Sequence, residues 1–418
     1  MSWWTLPPRW RRVSLAMSGM PSGTVMVPPA GSEQDPARHD DPAAARPTRA
    51  TEPAGRWRPA LVAALPAWVA SRFIVIGGYV LARVTVDQLH VVRPAPLRDG
   101  LGAWDAAQYW AIADHGYAAA VNGQRFFPLF PLLVRAVSPV VSGHTAVAGM
   151  VVANVAALVA GAALYRLVVF DTGDSRAATL ATWLLLAGGG AAPLVMGYAE
   201  SVGTAAAVLA FLAARQGRWW WAAVAGAAVG LTWSVGFLLA LPLAVEAARG
   251  FTAAPVRERV GRVTAAAMPV LAGVTYLAWV QRTTGRWWGR VYGVQVDVYH
   301  RHVQDPVSRI GRVAYDLVAG HHASGIYLPW ILLALLLLTV SARRLPASYT
   351  LYALVILIVV ISSDNIDSFE RYILRAFPLV VAAALVIRRE RDRLLVVAFG
   401  AAGLLAYSTA IFLGAKVP

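Results

Sequence analysis

The chain has 418 residues, 58% of them hydrophobic and only 14% charged, with a formal net charge of +15 and a mean hydropathy of +0.56. Soluble domains carry about a quarter charged residues, so this composition excludes an ordinary soluble enzyme and indicates an integral membrane protein. The basic balance does not imply nucleic acid, because the arginines sit in short clusters between apolar runs, and a chain with no cysteine has no disulfides, thiolate metal sites or thiol nucleophiles.

In chain order, residues 1–58 form a tail rich in Arg, Pro and Ala that is too polar to bury a core, and it is predicted to be disordered and cytoplasmic. No apolar stretch of signal-peptide type precedes residue 59. Residues 59–418 read as one polytopic domain, with candidate spans at 59–84, 144–169, 177–195, 197–214, 263–281, 326–342, 346–362, 372–388 and 394–414. The run 219–248 is longer than one crossing needs, and Gly230 and Gly236 flank a polar Thr-Trp-Ser at its middle, which suits two half-length helices. Lysine occurs only at Lys416 while arginine and alanine abound, a usage that suggests a GC-rich bacterial source.

With the tail inside, the loops 170–176, 215–218, 249–262, 343–345 and 389–393 are cytoplasmic, and each of them carries at least one arginine, the asymmetry expected of inner loops. That parity requires 219–248 to enter and leave on one side. It leaves two large external loops, 85–143 and 282–325, and places on the outer face Asp87, Asp99, Asp105, Asp114, Glu200, Asp297, Asp305, Asp316, Asp364, Asp367 and Glu370. The predicted protein is therefore a multi-pass cell-membrane protein with any chemistry on its extracytoplasmic side.

Within the first external loop, WDAAQYWAIADHGY (104–117) reads as a short interfacial helix. Trp104, Gln108, Ala111, Ile112 and His115 share a face, Tyr109 and Trp110 suit the lipid–water boundary, and Gly116 is a stop. The next segment, RFFPLFPLLVRAVSPV, is broken by Pro128, Pro131 and Pro139, so it lies in the interface or re-enters rather than spans. Asp105 has two readings at this point: an N-cap completed by Gln108 as a capping box, or a catalytic carboxylate. Asp114 and His115 read more simply as a solvated helix end. Trp219 to Trp221 and Trp287 to Trp288 read as interface anchors, the second pair lying where sugar stacking is also open.

The Trp-Asp pair opening a helix that ends in IADHGY, followed by FFPLFPL, resembles the PIG-V family, the relatives of GPI mannosyltransferase 2 in the GT-C superfamily. Weaker resemblances follow at PLVMGYAES (193–201), GLTWSVGFLLALP (230–242) and ERYILRAFPLV (370–380). The resemblance implies an all-α, GT-C type multi-pass bundle with interfacial helices in its first external loop. It further implies transfer of mannose from polyprenyl phosphate mannose to an extracytoplasmic lipid, glycan or protein hydroxyl, without a cofactor or metal. Asp105 is then the general base, with Trp104, Gln108, His115, Arg125, Glu200 and Arg371 as the substrate-binding set and Arg371 toward the donor phosphate. A polyprenyl phosphate leaves without acid assistance, so one base suffices for an inverting displacement. The chain departs from the family pattern at Gln108, at Trp233, where an arginine or polar residue is expected, and at Arg375, where an apolar residue or proline is more usual.

There is no DxD pair, P-loop or HExxH motif, which removes sequence support for metal-bound nucleotide-sugar chemistry, ATP-driven transport and metalloproteolysis. Two other readings stay open: a transporter or flippase of lipid-linked sugars, and a transferase using another polyprenyl-phosphate sugar. Transporters pair their broken helices in internal repeats, and only one broken segment is legible here.

Overall fold

Glycine and proline set where the apolar runs of this chain begin, break and end. The computed structural model describes residues 57–297, 302–321, 325–363 and 369–418. The tail up to residue 56 lies outside the described residues, as do Asp364 and Asp367. The fold is all-α, and among the described residues the sole β feature is an isolated bridge between Val303 and Ser363.

The helices are α1 Trp57–Gln88, α2 Ala95–Asp99, α3 Asp105–His115, α4 Leu129–Val137, α5 Thr145–Thr172, α6 Ser175–Ala187, α7 Glu200–Arg215, α8 Trp219–Gly230 and α9 Ala240–Ala248. They continue with α10 Val256–Thr284, α11 Val294–Asp297, α12 Pro306–Val318, α13 Leu328–Arg344, α14 Ala347–Ile361, α15 Phe369–Leu374, α16 Phe377–Val386 and α17 Glu390–Phe412. Among the described residues, α1, α5, α10 and α17 are long and apolar enough to cross a membrane. Helix α7, buried nearly all round and rich in alanine, is the centre of the bundle; small side chains let α5 and α8 approach it closely. Around it, α1 packs on α5, α6 and α17, α10 packs on α8 and α9, and α16 packs on α6 and α13.

Three apolar runs, two of them predicted spans, are interrupted where their hydropathy continues. Run 177–195 ends as helix at Ala187, before Gly188, Gly189 and Gly190, and a short 3-10 turn at Ala192–Leu194 leads into α7. Run 372–388 is divided at Arg375 and Ala376, because Pro378 lacks an N–H and disfavours continuous helix through the residues before it. Run 219–248 breaks after Gly230, as the sequence suggests. At this break Gly230 packs so closely on the Pro269 carbonyl that a Cβ would lie 2.2 Å from it.

The broken run folds back on itself as a hairpin. Gly261, near the start of α10, meets Trp219 at the start of α8, and the break meets Pro269 and Gly273 midway along α10. Arg262 then donates to the carbonyls of Ala247 and Arg249 at the end of α9. Both ends of the run thus lie at one end of α10, as the loop parity requires. The carbonyls freed by the break find partners: Leu231 accepts from the Leu129 N–H at 2.9 Å and Ser234 accepts from the Tyr292 hydroxyl at 2.8 Å.

The arginine-rich turns share an end of the bundle closed by a buried polar knot. Arg215 bonds Asp171 at 2.8 Å and Glu246 at 3.3 Å, while Ser348 and Tyr349 donate to Glu246 and Asp171 respectively. This ties α5, α7, α9 and α14 together with each buried carboxylate partnered.

At the opposite end α3 and α4 pack against α5. The faces of α3 differ from those predicted: Ala106, Tyr109, Ile112 and Ala113 are buried, and Tyr109 and Trp110 point into the protein rather than to a lipid boundary. Trp110 fills a slot of three glycines, where a Cβ on Gly102, Gly149 or Gly197 would lie 2.1, 2.4 or 3.2 Å from its indole. Because a rigid ring bounded on three sides cannot retreat, Gly149→Ala should lower stability by about 1–3 kcal/mol. Thermal unfolding of the detergent-purified variant measures this, and an unchanged midpoint would show that the slot is not a constraint. Trp219 is likewise buried, donating to Glu258, whereas Trp220 and Trp221 are exposed as anchors would be.

Candidate active site

At the end of the bundle away from the arginine-rich turns, a cavity of about 670 Å³ opens between α3, the segment before α4, the break after α8, α14 and α15. That volume is in the range of small-molecule sites, roughly 300–1,000 Å³. Its lining includes Trp104, Asp105, Gln108, Arg125, Glu200 and Arg371. The structure therefore gathers every predicted site residue except His115. His115 is the last residue of α3 and is exposed; a helix rises 1.5 Å per residue, so it lies about 15 Å along the axis from Asp105.

Asp105 is the first residue of α3, not its cap. The cap position is Trp104, with φ 63° and ψ −127°, and its own side chain makes no capping hydrogen bond. The Gln108 side chain instead accepts from the Val121 N–H at 3.1 Å, so the capping-box reading fails. The Asp105 carboxylate is turned to two guanidinium groups: Arg125 donates to Oδ1 and Arg371 to Oδ2, each at 3.2 Å.

Arg371 occupies the middle of the cluster. It is buried, donates to the Tyr372 hydroxyl at 2.9 Å, and approaches Glu200 at 3.6 Å as well as Asp105. Arg375, one turn on, donates to Glu200 Oε1 at 3.2 Å and lies over the rings of Trp233 and Tyr372, 4.7 and 4.8 Å from their centroids. Trp233 is admitted by Gly203 of α7, where a Cβ would lie 2.2 Å from the indole. The broken hairpin thus brings an aromatic face to a cation just past the end of α15. Neither residue stood in the predicted set. The motif resemblance marks both only as departures, and their pairing spans elements that local spacing does not relate.

Three arginines and two carboxylates give the cluster a formal charge of +1. Glu200 Oε2, Trp104 Nε1 and Trp233 Nε1 are buried and meet no hydrogen-bond partner among the described residues, so a ligand rich in hydroxyls or phosphate oxygens would satisfy them. Tyr109 also lines the cavity; burial, and secondarily the Glu200 and Asp105 carboxylates, push its hydroxyl well above the usual range, leaving it neutral. Burial raises Tyr292 in the same way. Among the described residues no group of three His, Asp or Glu side chains is placed to hold a metal ion.

No family model and no curated protein matches the chain. The solved structures similar to it include two whose matches extend over most of this chain. One is ArnT from Cupriavidus metallidurans bound to undecaprenyl phosphate, at 13% identity and a TM-score of 0.49, covering 75% of this chain and 72% of that one. The other is the archaeal oligosaccharyltransferase AglB from Archaeoglobus fulgidus in complex with an inhibitory peptide and a dolichol-phosphate, at 12% identity and a TM-score of 0.44. That match covers 84% of this chain, which spans 55% of the length of AglB.

Proposed function

We propose that the protein is a GT-C type membrane glycosyltransferase of the PIG-V kind, moving mannose from polyprenyl phosphate mannose to an extracytoplasmic hydroxyl. The observation that carries the reading is a single cavity in which the Asp105 carboxylate lies between Arg125 and Arg371. Such a site offers a base and a cationic cradle a few ångströms apart, the two things this transfer requires.

In the reaction the acceptor hydroxyl oxygen attacks the anomeric carbon and its proton passes to Asp105. The bond from that carbon to the phosphate oxygen breaks, its electron pair leaving with polyprenyl monophosphate, and the product has inverted configuration. The donor phosphodiester carries one negative charge, matching the +1 of the cluster, and a second charge develops as the phosphate leaves. Arg125 and Arg375 retain more exposure than Arg371 and are the cations a phosphate would meet first; Arg371 braces both carboxylates. Guanidinium forks suit phosphate oxygens geometrically as well as electrostatically. The arginine-rich turns at the other end of the bundle support an extracytoplasmic cavity with the N-terminus inside.

The test supplies purified protein in proteoliposomes with polyprenyl phosphate carrying radiolabelled mannose and a membrane extract as acceptor. Labelled product of inverted configuration, with stoichiometric release of polyprenyl phosphate, is expected. No transfer of mannose, with transfer when the same lipid carries glucose or a pentose in a parallel assay, would reassign the donor sugar. Label crossing the membrane with no new glycosidic bond would replace the reading with a flippase.

A further inference from the structure

The helix that carries Asp105 starts from backbone that a tryptophan does not adopt unaided. Trp104 lies in the positive-φ region, where a bulky side chain is a genuine outlier, and its ring faces the cavity. The first N–H of α3 has no partner within the helix, and the residue at the cap position supplies none. Yet both peptide groups flanking Trp104 are bonded, and by the same atom. The Asp105 N–H donates to the Tyr198 hydroxyl oxygen at 3.1 Å, and that hydroxyl donates to the Ala103 carbonyl at 3.4 Å.

Tyr198 is fully buried and is itself held firmly. It ends the turn between α6 and α7, two residues before Glu200. The Leu194 carbonyl of that turn accepts from Arg72 at 3.1 Å, and the Val195 carbonyl accepts from Asn154 at 3.1 Å. Arg72 in turn donates to Asn154 Oδ1 at 2.8 Å and to the Trp68 carbonyl at 2.9 Å. Hydrogen bonds from α1 and α5 thus hold the turn at Leu194 and Val195, and its backbone carries that anchorage on to Tyr198 and the start of α3.

We infer that Tyr198 is a positioning residue: its hydroxyl bridges the peptides on either side of the strained Trp104 and so fixes the point from which the Asp105 carboxylate projects into the cavity. The inference rests on the reading of Asp105 as the base. A phenol meets the need because one atom accepts from Asp105 and donates to Ala103 while its ring fills the buried space. Without the hydroxyl, an N–H and a carbonyl are left unpaired beside a strained residue, and relaxation of Trp104 would swing Asp105.

The test is Tyr198→Phe, which keeps the ring and removes the bridge. Two measurements are made: steady-state transfer, and amide hydrogen exchange over residues 103–107 in detergent. The expected result is a kcat lower by about 10- to 100-fold with donor KM changed less than about threefold, since a small misplacement of a reacting group costs up to about 10²-fold. Exchange over 103–107 should be faster by about tenfold, without general loss of protection elsewhere. Unchanged kcat and unchanged exchange would mean that Tyr198 only fills space, and the inference falls. Faster exchange at an unchanged kcat would also overturn it, because the backbone would have moved without consequence for the chemistry. If wild type transfers no sugar from any polyprenyl-phosphate donor, the functional reading fails, and with it the role given to Tyr198. Should Tyr198→Phe not fold, 3,5-difluorotyrosine incorporated at position 198 keeps the ring and hydroxyl but weakens acceptance from the Asp105 N–H, and the same two shifts in the same direction are expected.

Discussion

Asp105→Asn is expected to lower kcat for sugar transfer by about 10²- to 10⁴-fold, the usual contribution of a general base, while the protein remains folded. Asparagine keeps the size of the side chain and leaves the Asp105 backbone N–H bonded to Tyr198, so the start of α3 survives. What disappears is the negative charge and the proton acceptor. Arg125 and Arg371 lose the anion they share, so a phosphate meets cations with one fewer competitor. Donor KM should accordingly hold or fall while kcat collapses, the pattern of an interaction made in the transition state rather than in binding. Initial rates over a range of donor concentrations read both constants. A kcat within threefold of wild type would remove Asp105 from the role of base, and a parallel rise in KM would make the carboxylate a substrate contact instead.

That experiment also separates two readings which the sequence leaves side by side. An aspartate followed three residues later by glutamine at the start of an amphipathic helix has the pattern of a capping box, and nothing local contradicts it. The decisive fact is tertiary: arginines 20 and 266 residues away take the carboxylate, while Gln108 turns to the Val121 N–H. The same division runs through the rest of the molecule. Helix α3 stops at Gly116 and the 219–248 run breaks at Gly230, because glycine acts on the backbone at its own position. Asp105, Arg125, Glu200 and Arg371 stand in the expected set through the motif resemblance, and the cost of an unpaired charge in apolar chain is the physical reason such groups cluster. Tyr198, Trp233 and Arg375 are absent from that set, since an aromatic ring or an arginine at an apolar boundary has an ordinary role and only contact with a distant element changes it. His115 errs the other way: it shares a helix with Asp105, but the axial rise separates them.

The largest effect on stability is expected from Arg371→Met. Among the described residues Arg371 is the one cation paired with both cavity carboxylates, and removing it leaves Glu200, which is 4% exposed, with Arg375, and Asp105 with Arg125. Breaking a buried ion pair from one side costs about 3–5 kcal/mol, because the surviving charge keeps its desolvation penalty after its partner has gone. The remaining arginines moderate that cost, and about 3 kcal/mol, read as a fall in the unfolding midpoint in detergent, is the expected value. Arg371→Lys keeps the charge but not the fork that reaches Asp105, Glu200 and Tyr372 together, so it should lie between Arg371→Met and wild type. The origin of the loss is tested by a cycle. If unpaired carboxylate charge is responsible, Asp105→Asn combined with Arg371→Met should be less destabilised than the sum of the single variants, with a coupling of about 0.5–3 kcal/mol. Strict additivity would mean that Arg371 stabilises the fold by packing its stem on Tyr198 and Tyr372, whose rings lie 5.9 and 4.8 Å from its guanidinium, rather than by joining the two carboxylates.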